Sequence, residues 1–239
     1  MHTNLRETIF SFFHRLIEKR YHLKKISKII KNITNYKSPI IFDVGANEGE
    51  SIEFFLNLFD SPKIYSFEPE KKSYQKISSK YEGNKAVKLF NFAFGNKKEK
   101  LILKTNIKSS TSTLSTINTK SKYYKFKSAI LNSCKNNIFL GEEKVKVKKI
   151  DHFILEKKIK TLHILKIDTE GFELNVIKGA KKALKKTKML IIEFQLNDMY
   201  LNYNPKKIDR FLTNNNFELI ATFKFPFMQY EDRIYINKK

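Results

Sequence analysis

The 239-residue sequence predicts an α/β protein built on a mostly parallel sheet. Three observations lead there. From Pro39 onward, short apolar runs of strand length alternate with amphipathic stretches of helical length. Their spacing is that of βαβ units, which need a crossover between parallel strands. Acidic or glycine-containing turns follow the apolar runs, at the strand ends where open parallel sheets bind ligands.

Residues 5–33 read as basic amphipathic helix, broken near Tyr21-His22. Ile9, Phe12, Phe13, Leu16 and Ile17 form one apolar stripe, and Leu23, Ile26, Ile30 and Ile33 continue it. Residues 1–36 therefore stand as a separate helical segment. It either packs on the domain that follows or lies on a membrane surface or a partner. Residues 37–239 form the main domain, with an insertion at about 106–143.

Within that domain Pro39–Val44 is the first strand and Ser51–Phe59 a helix. Lys63–Phe67 is the second strand and Lys71–Tyr81 the next helix. Val87–Phe94 is a third strand, closed by Gly95. Lys100–Thr105 and Lys144–Ile150 read as more exposed strands. Between them lie Ser109–Ser115 and a Lys/Tyr/Asn-rich stretch, 116–141, in which nothing sets a structure. Alternation resumes with strand Leu162–Ile167, helix Glu173–Leu184, strand Met189–Phe194 and helix Pro205–Asn214, where proline suits a helix start. Strands Phe217–Phe223 and Arg233–Ile236, joined through Pro226, close the chain as an antiparallel hairpin at the sheet edge.

Composition excludes several chemistries. The lone Cys134 rules out an internal disulfide framework, a zinc site with two or more thiolates and a thiolate-held iron–sulfur cluster. It suits a reducing cytoplasm, and no run is long and apolar enough to span a membrane. A cytoplasmic protein is expected, with the inner face of the membrane as an alternative. The formal net charge is +23, yet only five of the 47 basic residues are arginines. Phosphate readers favour the planar arginine fork. Abundant Lys, Asn, Ile, Phe and Tyr share A/T-rich codons, so much of the charge reads as compositional background. A nucleic-acid partner is disfavoured but stays open.

Against this basic background, acids gather at the strand ends: Asp43 with Glu48, then Glu68, then Asp168 with Glu170, then Glu193. The first turn, Asp43–Gly49, lacks the G-x-G-x-x-G spacing, and its acids would repel a pyrophosphate. Glu68 lies 25 residues beyond Asp43 at the next strand end, where an acid hydrogen-bonds a ribose diol. This pattern suits a cationic nucleoside such as S-adenosylmethionine.

Asp43-Val-Gly-Ala-Asn-Glu-Gly49, Phe67-Glu-Pro69, Ala93 with Gly95, the Ser/Thr-Leu segment and Leu165-Lys-Ile-Asp-Thr-Glu-Gly-Phe-Glu173 resemble the FkbM family of S-adenosylmethionine-dependent methyltransferases. Gly179-Ala180 and Ile191-Ile-Glu193 extend the resemblance, which covers about residues 39–195. It implies a Rossmann-like class I methyltransferase fold, with a mostly parallel seven-stranded sheet and an antiparallel edge strand. It also implies O-methylation of a sugar, a glycan or a similar small hydroxylated acceptor. By the same resemblance Asp43, Gly45, Asn47, Glu48 and Gly49 hold the methionine end of the cofactor, and Glu68 holds the ribose hydroxyls. Asn91 and Ala93 line the adenine pocket, and Asp168 and Glu170 face the transferred methyl and the substrate.

Asp168 is the expected base for the acceptor hydroxyl, with Glu170 or Glu193 orienting the acceptor; the alternative is that Asp168 only caps the following helix. An RNA methyltransferase and a non-catalytic basic interaction protein are the alternatives. Lys166 shares a strand face with Asp168 and either pairs with a strand-end carboxylate or snorkels out of the core. His163 sits at the other end of that strand and reads as structural. His152 opens a helix, with a substrate contact as its alternative. Paired carboxylates can bind Mg²⁺, but no third ligand stands out, so no metal is expected. Tyr123, Tyr124 and Phe126 amid lysines read as an amphipathic helix or an aromatic–basic contact surface. Oligomeric state is not legible.

Overall fold

The computed structural model describes residues 23–131, 138–225 and 229–238. In chain order these form α1 (Leu23–Ile33), β1 (Ile40–Val44), α2 (Glu50–Leu58), β2 (Lys63–Phe67), α3 (Lys71–Lys80), β3 (Val87–Phe90), β4 (Ala93–Phe94), β5 (Glu99–Asn106), α4 (Lys122–Leu131), β6 (Phe139–Lys148), α5 (Ile150–Glu156), β7 (Leu162–Ile167), α6 (Glu173–Lys178), α7 (Lys181–Leu184), β8 (Thr187–Gln195), α8 (Pro205–Thr213), β9 (Phe217–Lys224) and β10 (Tyr230–Asn237). The expected helix before Leu23, Cys134 and Pro226 lie outside the described residues.

Seven strands form one sheet in the order β3-β2-β1-β7-β8-β10-β9. β1 pairs in parallel with β2 and with β7, and β8 extends the parallel set. The closing hairpin stands at the sheet edge as expected, with β9 outermost. β10 runs antiparallel to both β8 and β9.

The sheet is covered on both faces, which explains why its central strands read as continuous apolar runs. Successive residues alternate between two cores. Phe42 and Leu165 join one apolar layer, and Ile41 and Ile164 join the other. Ile26 and Ile30 of α1 are buried in the second layer, so this part of the basic helical segment packs on the domain. Each such buried isoleucine is worth about 1.5–3 kcal/mol.

Two expected elements divide. The third strand leaves the main sheet after Phe90, and Ala93–Phe94 pairs instead with β6, next to β5, in a small second sheet. The cause is aromatic packing around Phe67, whose ring lies 5.3 Å from Phe90, 4.4 Å from Phe94 and 5.1 Å from Phe153. The expected helix Glu173–Leu184 breaks after Lys178. The buried carboxylate of Asp151 accepts hydrogen bonds from the Lys182 and Ala183 amides at 2.8 Å, and so caps a new helix there.

The insertion acquires structure from contacts distant in sequence. Tyr123 and Tyr124 of α4 pack with Met199 and Tyr200 in a third apolar cluster, while Phe126 is exposed. Among the described residues no helix is long and apolar enough to cross a membrane.

Candidate active site

The carboxyl ends of β1, β2, β7 and β8 open into one cavity of about 480 Å³. The turn after β1 enters it through Gly45, at φ 89°. A Cβ on Gly45 would stand 1.8 Å from the carbonyl oxygen of Asp168, so only glycine lets the two strand ends cross this closely. Asn47 also takes a positive φ, 44°. Its amide donates to Glu68 Oε2 at 2.8 Å, and its side-chain oxygen accepts from Ser109 at 2.8 Å. The insertion thereby touches the first turn.

Glu68 is nearly inaccessible, and its other carboxylate oxygen accepts from the Glu70 amide at 2.8 Å. Burial pushes its pKa up to about 8, against the opposing pull of the two amides, with Glu70 and Asp43 adding to the rise.

Lys166 pairs with strand-end carboxylates, which resolves the choice the sequence left open. Its ammonium lies 3.1 Å from Asp168 and 3.9 Å from Asp43. Burial opposes that charge, but the two aspartates outweigh it and hold the lysine above its usual range. Asp43 is fully buried and accepts from Ser51 at 2.8 Å and Ser66 at 3.3 Å. Burial raises its pKa, against Lys166.

Glu170 occupies a left-handed backbone conformation, φ 51°, followed by Gly171 at 91°. Left-handed geometry costs a non-glycine residue roughly 1–2 kcal/mol. Hydrogen bonds hold it there. The Thr113 hydroxyl donates to its carbonyl at 2.6 Å, and the Tyr200 hydroxyl donates to Oε2. Buried Glu173 organises the same turn: its Oε1 accepts from the Thr169 amide, the Thr169 hydroxyl and the Gly171 amide at 3.0–3.1 Å. Its Oε2 is buried with no protein hydrogen-bond partner.

Burial pushes the Glu173 pKa up to about 7. The folded state thus binds this proton more tightly than the unfolded chain. That stabilisation is complete below about pH 4.5 and lost as pH rises through 7, at most roughly 3 kcal/mol. Urea unfolding of Glu173→Gln is expected to lack this part of the wild-type decline between pH 5 and 8. An unchanged slope would refute it.

Glu193 faces Asp232 across the β8–β10 ladder and accepts from Gln195 at 2.7 Å. Burial, then Asp168, Glu170 and Asp232, lift its pKa well above the ordinary carboxylate range, opposed by Lys166. Burial also raises Glu170, with Lys127 as the largest opposing influence.

The cavity wall includes Gly45, Asn47, Glu48, Glu68, Ala93, Asp168, Glu170 and Glu193. Asp43, Gly49 and Asn91 stand outside it. Asp43 turns toward Ser51 and Lys166, Gly49 caps α2, and the Asn91 amide donates to the Glu68 and Pro69 carbonyls at 2.9 and 3.0 Å. These three sit behind the wall and shape it. Glu48 also meets Lys76 at 2.7 Å.

His163 Nδ1 accepts from the Ile40 amide at 3.0 Å, at the far end of the sheet. Exposed His152, on α5, does not line the cavity. Among the described residues no group of three or more His, Cys, Asp or Glu is placed to hold a metal ion.

Sequence reasoning missed Asp232, Lys108 and Lys127 on the cavity wall and gave Glu173 no role, while Tyr123, one of the aromatics read as a helix or a contact surface, lines the cavity. Glu173 was visible inside the Asp168–Glu173 motif. Asp232 had no local signal, because the strand starts at Tyr230, earlier than its apolar run suggests.

Comparison with known proteins places this architecture. Residues 43–219 match the methyltransferase FkbM domain. The 2-O-methyltransferase NoeI of Sinorhizobium fredii (strain NBRC 101917 / NGR234) is 22% identical over 206 residues, covering 83% of this chain and 80% of the relative. Among solved structures, M. capricolum TrmK in complex with S-adenosyl-homocysteine aligns with a TM-score of 0.50 and 14% identity, over 92% of this chain and 68% of that one. That likeness is one of fold, and the sheet is the class I methyltransferase sheet. The family match spans most of the chain, from the first strand-end turn through Glu68, Asp168 and Glu193 to the last edge strand: this protein belongs to the FkbM methyltransferase family.

Proposed function

We propose that the chain is an S-adenosylmethionine-dependent O-methyltransferase acting on a hydroxyl of a sugar, a glycan or a similar small hydroxylated acceptor. The observation that carries this reading is the gathering of Asp168, Glu170, Glu193 and Asp232 around one cavity that also holds buried Glu68. The donor set fits the cofactor. Carboxylates favour a sulfonium and an ammonium, Glu68 offers acceptors to a ribose diol, and the volume lies within the usual range for ligand sites. The relative named as a 2-O-methyltransferase supports a hydroxyl acceptor.

When bound, the cofactor supplies an electrophilic methyl group on a sulfonium. The chain's own work is to orient, dehydrate and take up a proton. Asn47 and Glu48 hold the amino-acid end, and Glu68 the ribose. Asp168 receives the acceptor's hydroxyl proton and is kept in place by Lys166. Glu170 and Glu193 accept hydrogen bonds from neighbouring hydroxyls of the acceptor. Holding the two reactants in line is worth on the order of 7–11 kcal/mol. Acceptor choice falls to the insertion and α1, since Lys108, Leu114, Tyr123 and Lys127 of the one and Leu23 and Ile26 of the other reach the cavity.

Incubation with methyl-labelled cofactor and a panel of nucleotide sugars, glycan lipids and RNA tests the reading. Label on a glycan hydroxyl is expected. Label on RNA alone would replace the acceptor class, and no cofactor binding by calorimetry would remove the enzyme reading.

Glu68 adds a pH signature. With its pKa near 8 it is largely protonated at pH 7, whereas ribose hydroxyls need the carboxylate. Cofactor affinity is expected to rise with pH toward 8 and then level, with one proton released per molecule bound. Titration calorimetry in two buffers of different ionisation enthalpy reads this directly. An affinity flat from pH 6.5 to 8.5 would sink the ribose assignment. Glu68→Gln is expected to weaken binding roughly 10–100-fold, the range for hydrogen bonds to a charged group.

A further inference from the structure

We propose that Tyr200 is the positioning residue for Glu170, and that the insertion keeps Tyr200 in place. This rests on the methyl-transfer reading for its consequence, but not for the contact itself.

Tyr200 is buried and does not line the cavity, so it acts only through its neighbours. Its hydroxyl donates to Glu170 Oε2. Its ring fills the space beside Gly171, where a Cβ would come within 2.6 Å of it. One side chain therefore supports both left-handed residues of the turn after β7. Gln195 Nε2 adds a long contact to the same oxygen at 3.4 Å and a shorter one to Glu193 at 2.7 Å, which links the two acids.

The segment that carries Tyr200 is clamped by the insertion. Ile117 forms an antiparallel bridge with Tyr200. The Asn118 amide donates to the Met199 carbonyl at 2.8 Å, and the Leu201 amide to the Thr116 carbonyl at 2.8 Å. Ser121 donates to Asp198 at 2.5 Å. The insertion also reaches Glu170 from its other side, through Thr113. A segment with no structural signature in the sequence thus grips the one acid whose backbone needs support.

The charged and titratable groups around Glu170 are Asp168, Glu193, Lys108, Lys127, Tyr123 and Tyr200. Asp168 and Glu193 disfavour its charge. The two lysines and the Tyr200 hydroxyl favour it. Removing that hydroxyl shifts the balance toward the protonated acid.

Tyr200→Phe tests this, because it keeps the ring beside Gly171 and deletes only the donor. With carbon-13-labelled glutamate, the Glu170 carboxyl resonance is assigned by its loss in Glu170→Gln. Its titration midpoint is expected to rise by a unit or more in Tyr200→Phe, with cofactor affinity unchanged within a few-fold. In turnover the variant is expected to lose roughly 10–100-fold in kcat, and the acidic limb of its pH profile moves up with the midpoint. A merely structural tyrosine would lower the melting temperature and leave midpoint and limb in place, and that result overturns the proposal. If the midpoint moves while the wild-type protein methylates no hydroxyl, the contact stands and the function proposed above fails.

Discussion

Replacing Asp168 with asparagine is expected to lower turnover by roughly 10²–10⁴, the usual contribution of a positioned base, and to leave cofactor affinity within a few-fold. Asparagine matches aspartate in shape but cannot take a proton. Asp168 is a partly exposed acid of the cavity, with about a third of its side chain accessible, and Lys166 holds it at 3.1 Å. Its amide is anchored to the Val44 carbonyl at 2.9 Å. The strand end should therefore survive the substitution, and circular dichroism with a thermal melt checks that. Single-turnover rates with labelled cofactor separate chemistry from binding. Full activity in Asp168→Asn would remove it as the base and turn attention to Glu193, the neighbouring carboxyl on the same cavity wall.

The second large effect belongs to Gly45→Ala. The new Cβ would meet the Asp168 carbonyl oxygen at 1.8 Å, a backbone atom that cannot swing aside as a side chain can. The left-handed backbone adds roughly 1–2 kcal/mol and overpacking typically 1–3. A loss of roughly 3 kcal/mol or more is expected, a large part of the 5–15 kcal/mol that usually holds a domain folded. Forcing the ends of β1 and β7 apart also moves Asp168 and the Asn47 amide, so cofactor binding should fall with stability. Urea unfolding and cofactor titration read the two effects separately. A variant as stable as the wild type would show that the crossing is looser than the structure has it.

The fold was legible because its signals are local. Apolar runs such as Ile40–Val44 and Lys63–Phe67 are short, lie between glycine, proline and acidic turns, and alternate with helical stretches. Such a pattern admits few arrangements besides a parallel sheet covered on both faces. The acids at the cavity were legible for the same reason. Asp168 and Glu170 follow directly on β7, and Glu68 on β2, so position in sequence is nearly position in space.

Other features are set by side-chain direction or long-range register. Asp43 and Asp168 both lie at the ends of adjacent parallel strands, yet one is buried against Ser51 and Ser66 and the other faces the cavity. Asn91, expected at the adenine pocket, donates its side-chain amide to the Glu68 and Pro69 carbonyls, which its place in the sequence does not show. The third strand reads as continuous to Phe94 because each residue suits a strand. Packing of Phe90, Phe92 and Phe94 around Phe67 and Phe153 breaks it, and that is a contact across the sheet.

The sequence by itself determined the α/β class, the strand–helix order, the acidic strand ends and the family resemblance. All of these are written in neighbouring residues and their period. Only the tertiary structure decided that Lys166 reaches Asp43 as well as its neighbour Asp168, that Asp232 joins the acidic cluster from β10, and that the insertion holds Glu170 through Thr113 and Tyr200. The physical reason is separation along the chain. A hydrogen bond or ion pair between residues 30 or 60 positions apart leaves no periodicity in either segment, so it comes into being only when the sheet register and the packed cores bring the two together.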